Sequence, residues 1–316
     1  MGCHRPGPPE ARGGPAVSRA HRPDYHTHLE NYALDRDSLL RMVDAALAQG
    51  VDEIALTEHA HNFVQCRTTY PPDNPWVHDR ESPHRRNWDL DAYLRLGEAA
   101  RREGLPVRVG LEWDYCPGRE AELERWVKAY DWDLVLGGVH WLPRRGGGWW
   151  GFDIPEQAHG WGERAVDEVY EEYFRLLCDA AATGLFDVLA HPDVVKVFGH
   201  RSRRDPQPWY ERAAEAMARF GVCAEVNTAG WRKPVAELYP APAFLRTLRR
   251  YGVPVVISSD AHLAEHVGFG FPRAEAEAWA AGYRTRCVFA RRRRSEVPLP
   301  QPEARGSDFG ASKQRT

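Results

Sequence analysis

Residues 24–50, DYHTHLENYALDRDSLLRMVDAALAQG, contain the pattern that decides the fold. A short run that ends in two histidines, His26 and His28, comes first. The segment behind it places apolar residues at helical spacing, at Leu39, Leu40, Val43, Ala46 and Leu47. Gly50 then supplies the residue that most often ends a helix. The stretch therefore predicts a β-strand followed by an α-helix.

This strand-then-helix unit recurs along the chain. The segment AVDEVYEEYFRLLCDAAATG repeats the helical spacing and ends on Gly184. Seven units predict an α/β fold, a single-domain barrel related to the (β/α)₈ barrel. An open doubly wound sheet is the alternative, but no GxGxxG follows the first run. The seven β-like runs are Pro23–His28, Glu53–His59, Val107–Tyr115, Leu134–Trp141, Asp187–Pro192, Ala224–Gly230 and Pro254–His262.

Composition narrows the class of protein and predicts the boundaries of the folded part. The 316 residues carry a formal charge of −3, which gives no overall attraction to nucleic acid or to a membrane surface. Scattered cysteines without CxxC pairs, and no signal peptide, favour a cytoplasmic protein with reduced thiols. We expect a disordered N-terminal extension over residues 1–22, one barrel over residues 23–290 and a basic, disordered tail over residues 291–316. No feature specifies an oligomeric state.

Nearly every β-like run ends in side chains that can bind a metal. In a β/α barrel the carboxyl ends of the strands form one active face, so these groups should meet. Two imidazoles at i and i+2 lie on one strand face and can share an ion. A single strand-end histidine is more often structural, and Glu112 alone could be an ion-pair partner; their joint recurrence favours a metal site. The groups are Asp24, His26, His28, Glu58, His59, Glu112, Asp114, His140, His191, Asp193, Asp260 and His262.

Two long connections are predicted to cover this face. Residues 62–89 and 142–162 exceed the usual length of a loop in a compact domain. Trp149, Trp150 and Trp161 in the second connection either form walls for a substrate or are buried beneath the loop.

Six motifs in this order resemble the PHP (polymerase and histidinol phosphatase) family. They are DYHTH, ALTEHAH, GLEWDY, GGVHW, LAHPD and SSDAH, and they span roughly residues 23–290. The segments EVNTAGWRKP and GLFDVLAHPDVVKVFG are most similar to the histidinol-phosphatase branch. The resemblance implies a distorted seven-stranded β/α barrel that binds two or three divalent metal ions, with zinc, manganese and iron as the candidates.

The resemblance also implies a set of ligands. It assigns His26, His28, Glu112 and Asp260 to a first metal, with Glu112 bridging to a second metal held by His140 and His191. A third metal would take His59, His262 and a histidine about six residues after the first pair. That position falls near Leu34, where this sequence has no histidine. Glu30, Asn31, Asp35 and His61 are the nearby substitutes; otherwise the site holds two metals.

The implied activity is hydrolysis of a small phosphate monoester, with L-histidinol phosphate as the best candidate. A carboxylate-bridged metal pair supplies hydroxide near neutral pH and neutralises the phosphoryl group. Arg232, Lys196 and Lys233 are predicted to bind phosphate, while Asp260 or His262 relays a proton and Glu112 bridges the metals. Tyr25 and Asp193 are expected to orient the ligands. The alternatives are a PHP phosphodiesterase or nuclease, and a degenerate barrel that serves as an interaction module.

Overall fold

The computed structural model describes residues 21–78 and 86–302. Within these residues, the strands are β1 (Pro23–Thr27), β2 (Glu53–Leu56), β3 (Val107–Asp114), β4 (Leu134–Gly138), β5 (Trp141–Pro143), β6 (Trp149–Gly151), β7 (Val188–Leu189), β8 (Cys223–Asn227), β9 (Val255–Ser258), β10 (Thr285–Ala290) and β11 (Arg293–Pro298). The α-helices are α1 (Arg36–Ala48), α2 (Pro75–His78), α3 (Leu90–Arg102), α4 (Glu120–Ala129), α5 (Val166–Ala182), α6 (Gln207–Phe220), α7 (Pro242–Arg250) and α8 (Phe271–Ala280).

Seven of these strands form a nearly closed parallel barrel. Their order is β1-β2-β3-β4-β7-β8-β9, and each neighbouring pair is parallel. The chain just after β9 returns to β1, because His28 N donates to Ala261 O at 2.9 Å and Ala261 N donates to His26 O at 3.1 Å. The predicted barrel is confirmed, and the seven predicted runs contain or overlap its strands.

The first helix shows how local sequence builds this frame. Asp35 precedes α1 and its carboxylate accepts a hydrogen bond from Ser38 N at 2.9 Å, which satisfies one free amide of the first turn. Leu39, Val43 and Ala46 are buried against the sheet as predicted. Leu47 is 53% exposed, so the apolar face is narrower than the spacing suggested. Gly50 has a positive φ of 73°, as expected just beyond a helix end.

The hairpin β10–β11 closes the amino-terminal end of the barrel. Cys287 and Phe289 pack in one hydrophobic cluster with Tyr25, Leu134 and Val188, which lie at or near the starts of their strands. The hairpin extends to residue 298, so residues 293–298 of the predicted tail form a strand. The remaining parts of the predicted terminal extensions, residues 1–20 and 303–316, lie outside the described residues.

Charge pairs fasten the turn of this hairpin to the barrel. The Arg292 guanidinium donates to Asp187, at 2.9 Å from Nε and 3.2 Å from Nη2, while the backbone N of Arg291 and of Arg292 donates to Asp133. The hairpin therefore covers the amino end of the barrel.

Two further expectations concern helices and cysteines. Over residues 21–78 and 86–302, no helix has both the length and the apolar content to cross a membrane. The cysteines in these ranges are unpaired, in keeping with the expectation of reduced thiols: Cys66, Cys116, Cys178, Cys223 and Cys287.

Candidate metal centre

The first strand, the third strand and the end of the ninth bring their polar side chains together at the mouth of the barrel. His26 Nε2 lies 3.3 Å from Glu112 Oε2 and 3.7 Å from Asp260 Oδ1. His28 Nε2 lies 3.8 Å and 3.4 Å from the same two oxygens. His26 Nε2 and His28 Nε2 are buried and have no hydrogen-bond partner, and the buried Glu112 Oε2 also lies 2.8 Å from His59 Nδ1. Such a group of unsatisfied lone pairs fits a divalent cation.

Glu112 also contributes to a second cluster. Its Oε1 lies 2.9 Å from His191 Nε2 and 3.5 Å from His140 Nε2. The two imidazole nitrogens are 3.1 Å apart, and donor atoms of the three residues all lie within 4.8 Å of one another. One carboxylate therefore presents one oxygen to each cluster, which is the arrangement needed to bridge two ions.

A third cluster contains His28, His59 and His262, whose donor atoms also lie within 4.8 Å of one another. The imidazoles of His28 and His262 stack with a centroid separation of 4.2 Å. Glu30 extends this cluster, because its Oε1 is 2.8 Å from His262 Nδ1. His61 stacks on His59 at 5.1 Å, and its Nδ1 is buried without a hydrogen-bond partner.

The other substitutes named for the missing histidine have different side-chain partners. Asp35 is occupied as the cap of α1, and Asn31 donates to the backbone carbonyl of His262 at 3.0 Å. Leu34 packs against the hydrophobic core. Glu30, Asn31 and His61 all line the cavity, and of these Glu30 and His61 contact histidines of the third cluster through their side chains.

Carboxylates hold the Nδ1 atoms of four of these histidines. An ionised carboxylate only accepts, so each Nδ1 carries the proton and leaves the Nε2 lone pair free for a metal. The pairs are His26 with Glu225 at 2.8 Å, His28 with Glu58 at 3.4 Å, His140 with Asp114 at 2.5 Å and His262 with Glu30 at 2.8 Å. Glu225 was missed, although a glutamate inside the apolar strand CAEVN is itself a signal.

The electrostatics agree with this geometry. Burial alone would raise the pKa of Glu112, but His26, His59 and His140 hold it well below its usual value. Burial alone would lower the pKa of His140, yet Asp114, Asp153 and Glu112 together raise it to about 10. In the metal-free protein these imidazoles therefore carry protons that a cation would displace.

Two of the candidate ligands have unusual backbone conformations. His191 has a φ of 29° and Asp260 a φ of 52°, a region that residues other than glycine rarely adopt. Glu225 Oε2 accepts from His191 N at 2.7 Å. Arg232 Nη2 donates to the carbonyls of Ser259 and Asp260 at 2.8 and 3.0 Å. These contacts hold both ligands in place.

The structure separates the three cations predicted to bind phosphate. Lys233 lines the cavity, whereas Arg232 lies behind Asp260 and supports its backbone. Lys196 is 2% exposed, and its Nζ donates to Asp193 Oδ2 and to Leu238 O, both at 2.8 Å. This placement argues against phosphate binding by Lys196, because its charge is neutralised inside the fold.

The cavity at this face measures about 270 Å³, and part of its lining was not foreseen. Arg86, which the sequence analysis did not single out, lines it and donates from Nε to Glu30 O at 2.6 Å. Trp76 and Trp141 form aromatic walls. Trp150 and Trp161, offered as walls or as buried residues, are buried under the loop.

The two predicted orienting residues do not contact the candidate ligands. The hydroxyl of Tyr25 donates to Glu53 Oε1 at 2.7 Å, at the start of β2 and therefore at the far end of the barrel. Asp193 accepts from Lys196 and from Ala241 N at 2.7 Å. The expectation is wrong for Tyr25, because it followed sequence proximity to the histidines.

Comparisons with known proteins agree with the fold and the motifs. A probable histidinol-phosphatase of Deinococcus radiodurans is 41% identical over 245 residues, which cover 76% of this chain and 86% of that protein. The histidinol-phosphatase of Bacillus subtilis is 24% identical over 254 residues, covering 74% of this chain and 91% of that protein.

Among solved structures, histidinol phosphate phosphatase from Lactococcus lactis superposes with a TM-score of 0.65 at 19% identity. The match covers 87% of this chain and 98% of that one, and that protein was crystallised with zinc, L-histidinol and phosphate. This likeness supports the fold. The family model of the PHP domain matches residues 24–229, and on this match and the 41% identity the chain belongs to the PHP domain family.

Proposed function

We propose that this protein is a metal-dependent phosphatase that hydrolyses L-histidinol phosphate to L-histidinol and phosphate. The observation that carries the proposal is the shared carboxylate of Glu112, with His26 and His28 on one of its oxygens and His140 and His191 on the other. The 41% identical relative is named for this activity, which supports the choice of substrate.

We assign the metal ligands as follows. His26, His28, Glu112 and Asp260 would hold one ion, and Glu112, His140 and His191 would hold a second. His59 and His262, with Glu30 and His61 beside them, would hold a third ion in place of any proton transfer by His262. The donor set of imidazoles and carboxylates suits zinc, manganese or iron, and the buried unpartnered nitrogens of His26 and His28 fit such ions.

Bound metal ions would supply a Lewis acid for the phosphoryl group and activate the attacking water. The residues of the chain then have to bind, orient and transfer protons. Arg86 and Lys233 line the cavity and are assigned to the phosphate, since both present cationic side chains. Arg232 is assigned to positioning, because it holds the carbonyl of Asp260.

In the form with two metal ions, the proton for the leaving oxygen is assigned to the pair Asp260–His262. His262 Nε2 lies 3.1 Å from Asp260 Oδ1, and both residues line the cavity. His262 can perform this role only while its Nε2 carries a proton, so relay and metal ligation by that nitrogen exclude each other. A third ion bound there would leave the role to another group.

The test is phosphate release by purified, metal-loaded protein. We expect phosphate from L-histidinol phosphate and little hydrolysis of bis-p-nitrophenyl phosphate or an oligonucleotide. Hydrolysis of the diester or oligonucleotide without the monoester would refute the proposal in favour of a phosphodiesterase. Stoichiometric metal binding without hydrolysis of any ester would instead indicate an interaction module.

A further inference from the structure

The cavity contains an acidic side chain for which neither the fold nor the metal clusters account. Asp153 follows β6, lines the cavity, and has an Oδ1 that is buried and without a hydrogen-bond partner. Tyr239, which also lines the cavity, has a buried hydroxyl without a partner. Buried polar atoms are nearly always paired, so two such atoms in one cavity indicate a missing polar ligand.

Asp153 is not among the proposed metal ligands. Among the described residues, the three groups whose donor atoms converge are His28–His59–His262, His26–His28–Glu112 and Glu112–His140–His191, and Asp153 belongs to none of them. Asp114, another carboxylate of the cavity, is different. Its Oδ1 is paired with His140 and its Oδ2 accepts from the hydroxyl of Tyr70 at 2.6 Å. Asp153 Oδ1 thus has no hydrogen-bond partner, whereas both oxygens of Asp114 have one.

The cavity also has a cation and a carboxylate on different sides, which suits a substrate with one negative and one positive group. Arg86 contacts Glu30, which contacts His262, so this cation lies on the side of the third cluster. Asp153 lies in the field of His140 and His191, on the side of the second cluster. Apolar side chains that also line the cavity are Trp141, Ile154, Val194 and Val197.

A cation is the ligand that such a carboxylate requires. Burial penalises an ionised carboxylate unless a positive group or donors compensate it. Within hydrogen-bond distance no donor of the described residues reaches Asp153 Oδ1. The ammonium group of an amino alcohol supplies charge and up to three donors at once, and the phenolic oxygen of Tyr239 can accept one of them.

We propose that Asp153, together with the hydroxyl of Tyr239, binds the cationic amine of the substrate and makes this cavity selective for phosphate esters of amino alcohols. The inference rests on the proposed phosphatase function and defines its substrate class. It separates the esters of amino alcohols from esters of neutral alcohols, which would leave Asp153 Oδ1 without a hydrogen-bond partner.

The test compares the full-length metal-loaded protein with Asp153→Asn and with Glu156→Gln. Glu156 is an exposed carboxylate three residues away, so its variant controls for loss of charge in the same loop. Each protein is titrated calorimetrically with L-histidinol and with inorganic phosphate, and its metal content is measured. Hydrolysis of L-histidinol phosphate and of glycerol 3-phosphate is measured in parallel.

We expect Asp153→Asn to weaken L-histidinol binding about 10- to 100-fold, which is the loss of one charge-assisted hydrogen bond. The ratio of kcat/KM for histidinol phosphate to that for glycerol 3-phosphate should fall by a similar factor. Metal content should match the wild type, and Glu156→Gln should match it in every measurement.

An unchanged ratio and an unchanged affinity for L-histidinol would overturn the inference while leaving the phosphatase function intact. Loss of metal, with both substrates affected equally, would also overturn it. That result would place Asp153 in support of His191, whose Nδ1 lacks a partner as well. Absence of histidinol phosphate hydrolysis by the wild type is a separate result, and it would refute the proposed function itself.

Discussion

Glu225 offers the sharpest test of how the barrel prepares its metal site. The carboxylate is completely buried and accepts from three donors: Oε1 faces His26 Nδ1 at 2.8 Å, and Oε2 faces His191 N at 2.7 Å and Asn227 Nδ2 at 2.9 Å. Glu225→Gln keeps the shape but has a single acceptor oxygen. In either orientation of the amide, its NH₂ group faces a donor.

The size of the effect follows from this geometry. At least one charge-assisted hydrogen bond is lost and a buried donor stays unpaired, which costs about 1.5–3 kcal/mol. If the lost hydrogen bond changes the orientation of His26 or His191, metal affinity should fall roughly 10- to 100-fold. This is the loss found when hydrogen-bond partners of metal-ligating histidines are mutated.

The assay is equilibrium competition for zinc with a chromophoric chelator, for wild type, Glu225→Gln and a control, Glu53→Gln. Glu53 is also largely buried and accepts from Tyr25 and from Arg108 Nε at 2.8 Å, but at the amino end of the barrel. The control should lose stability without a change in zinc affinity beyond threefold. Wild-type zinc affinity in Glu225→Gln would refute the reasoning that this carboxylate orients the ligands.

Four further outcomes are expected. Glu112→Gln should abolish hydrolysis and lower bound metal, and unchanged stoichiometry would contradict the bridging role. Removing the metals with a chelator should lower Tm by roughly 10 °C, since a ligand at about 1,000 times Kd contributes about 4 kcal/mol, and zinc should restore it. Gly138→Ala should reduce activity at least tenfold, because the new Cβ would lie 2.4 Å from His140 Cε1 and 3.0 Å from Glu112 Oε1; Gly162→Ala, where a Cβ meets no atom, is the control. In the metal-free protein, burial would lower the pKa of His140, but Asp114, Asp153 and Glu112 together raise it to about 10. Protonated His140 therefore stabilises the fold fully below pH 6.5, and this stabilisation is lost as the pH rises towards 10. Tm should fall over that range while zinc affinity rises. A constant Tm would contradict this role of His140.

The sequence predicted those features that depend on a repeating pattern of residues. Strands that alternate with helices predicted the barrel, and ligand types at successive strand ends predicted that they meet, because parallel strands in a barrel present their carboxyl ends on one face. His26, His28, Glu112, His140, His191 and Asp260 do converge there. The position near Leu34 showed where the family pattern is interrupted, without showing what replaces it.

Tertiary structure alone decided which charged groups face the cavity and which are paired with other groups inside the fold. Lys196 and Lys233 are equally plausible in sequence, yet Lys196 is neutralised by Asp193, while Lys233 reaches the cavity. Glu30 and Glu225 acquire their roles from partners 232 and 199 residues away. The sequence pattern determines at which end of a strand a side chain lies. Its partners depend on how strands that are distant in sequence pack together, and no local spacing of residues encodes such contacts.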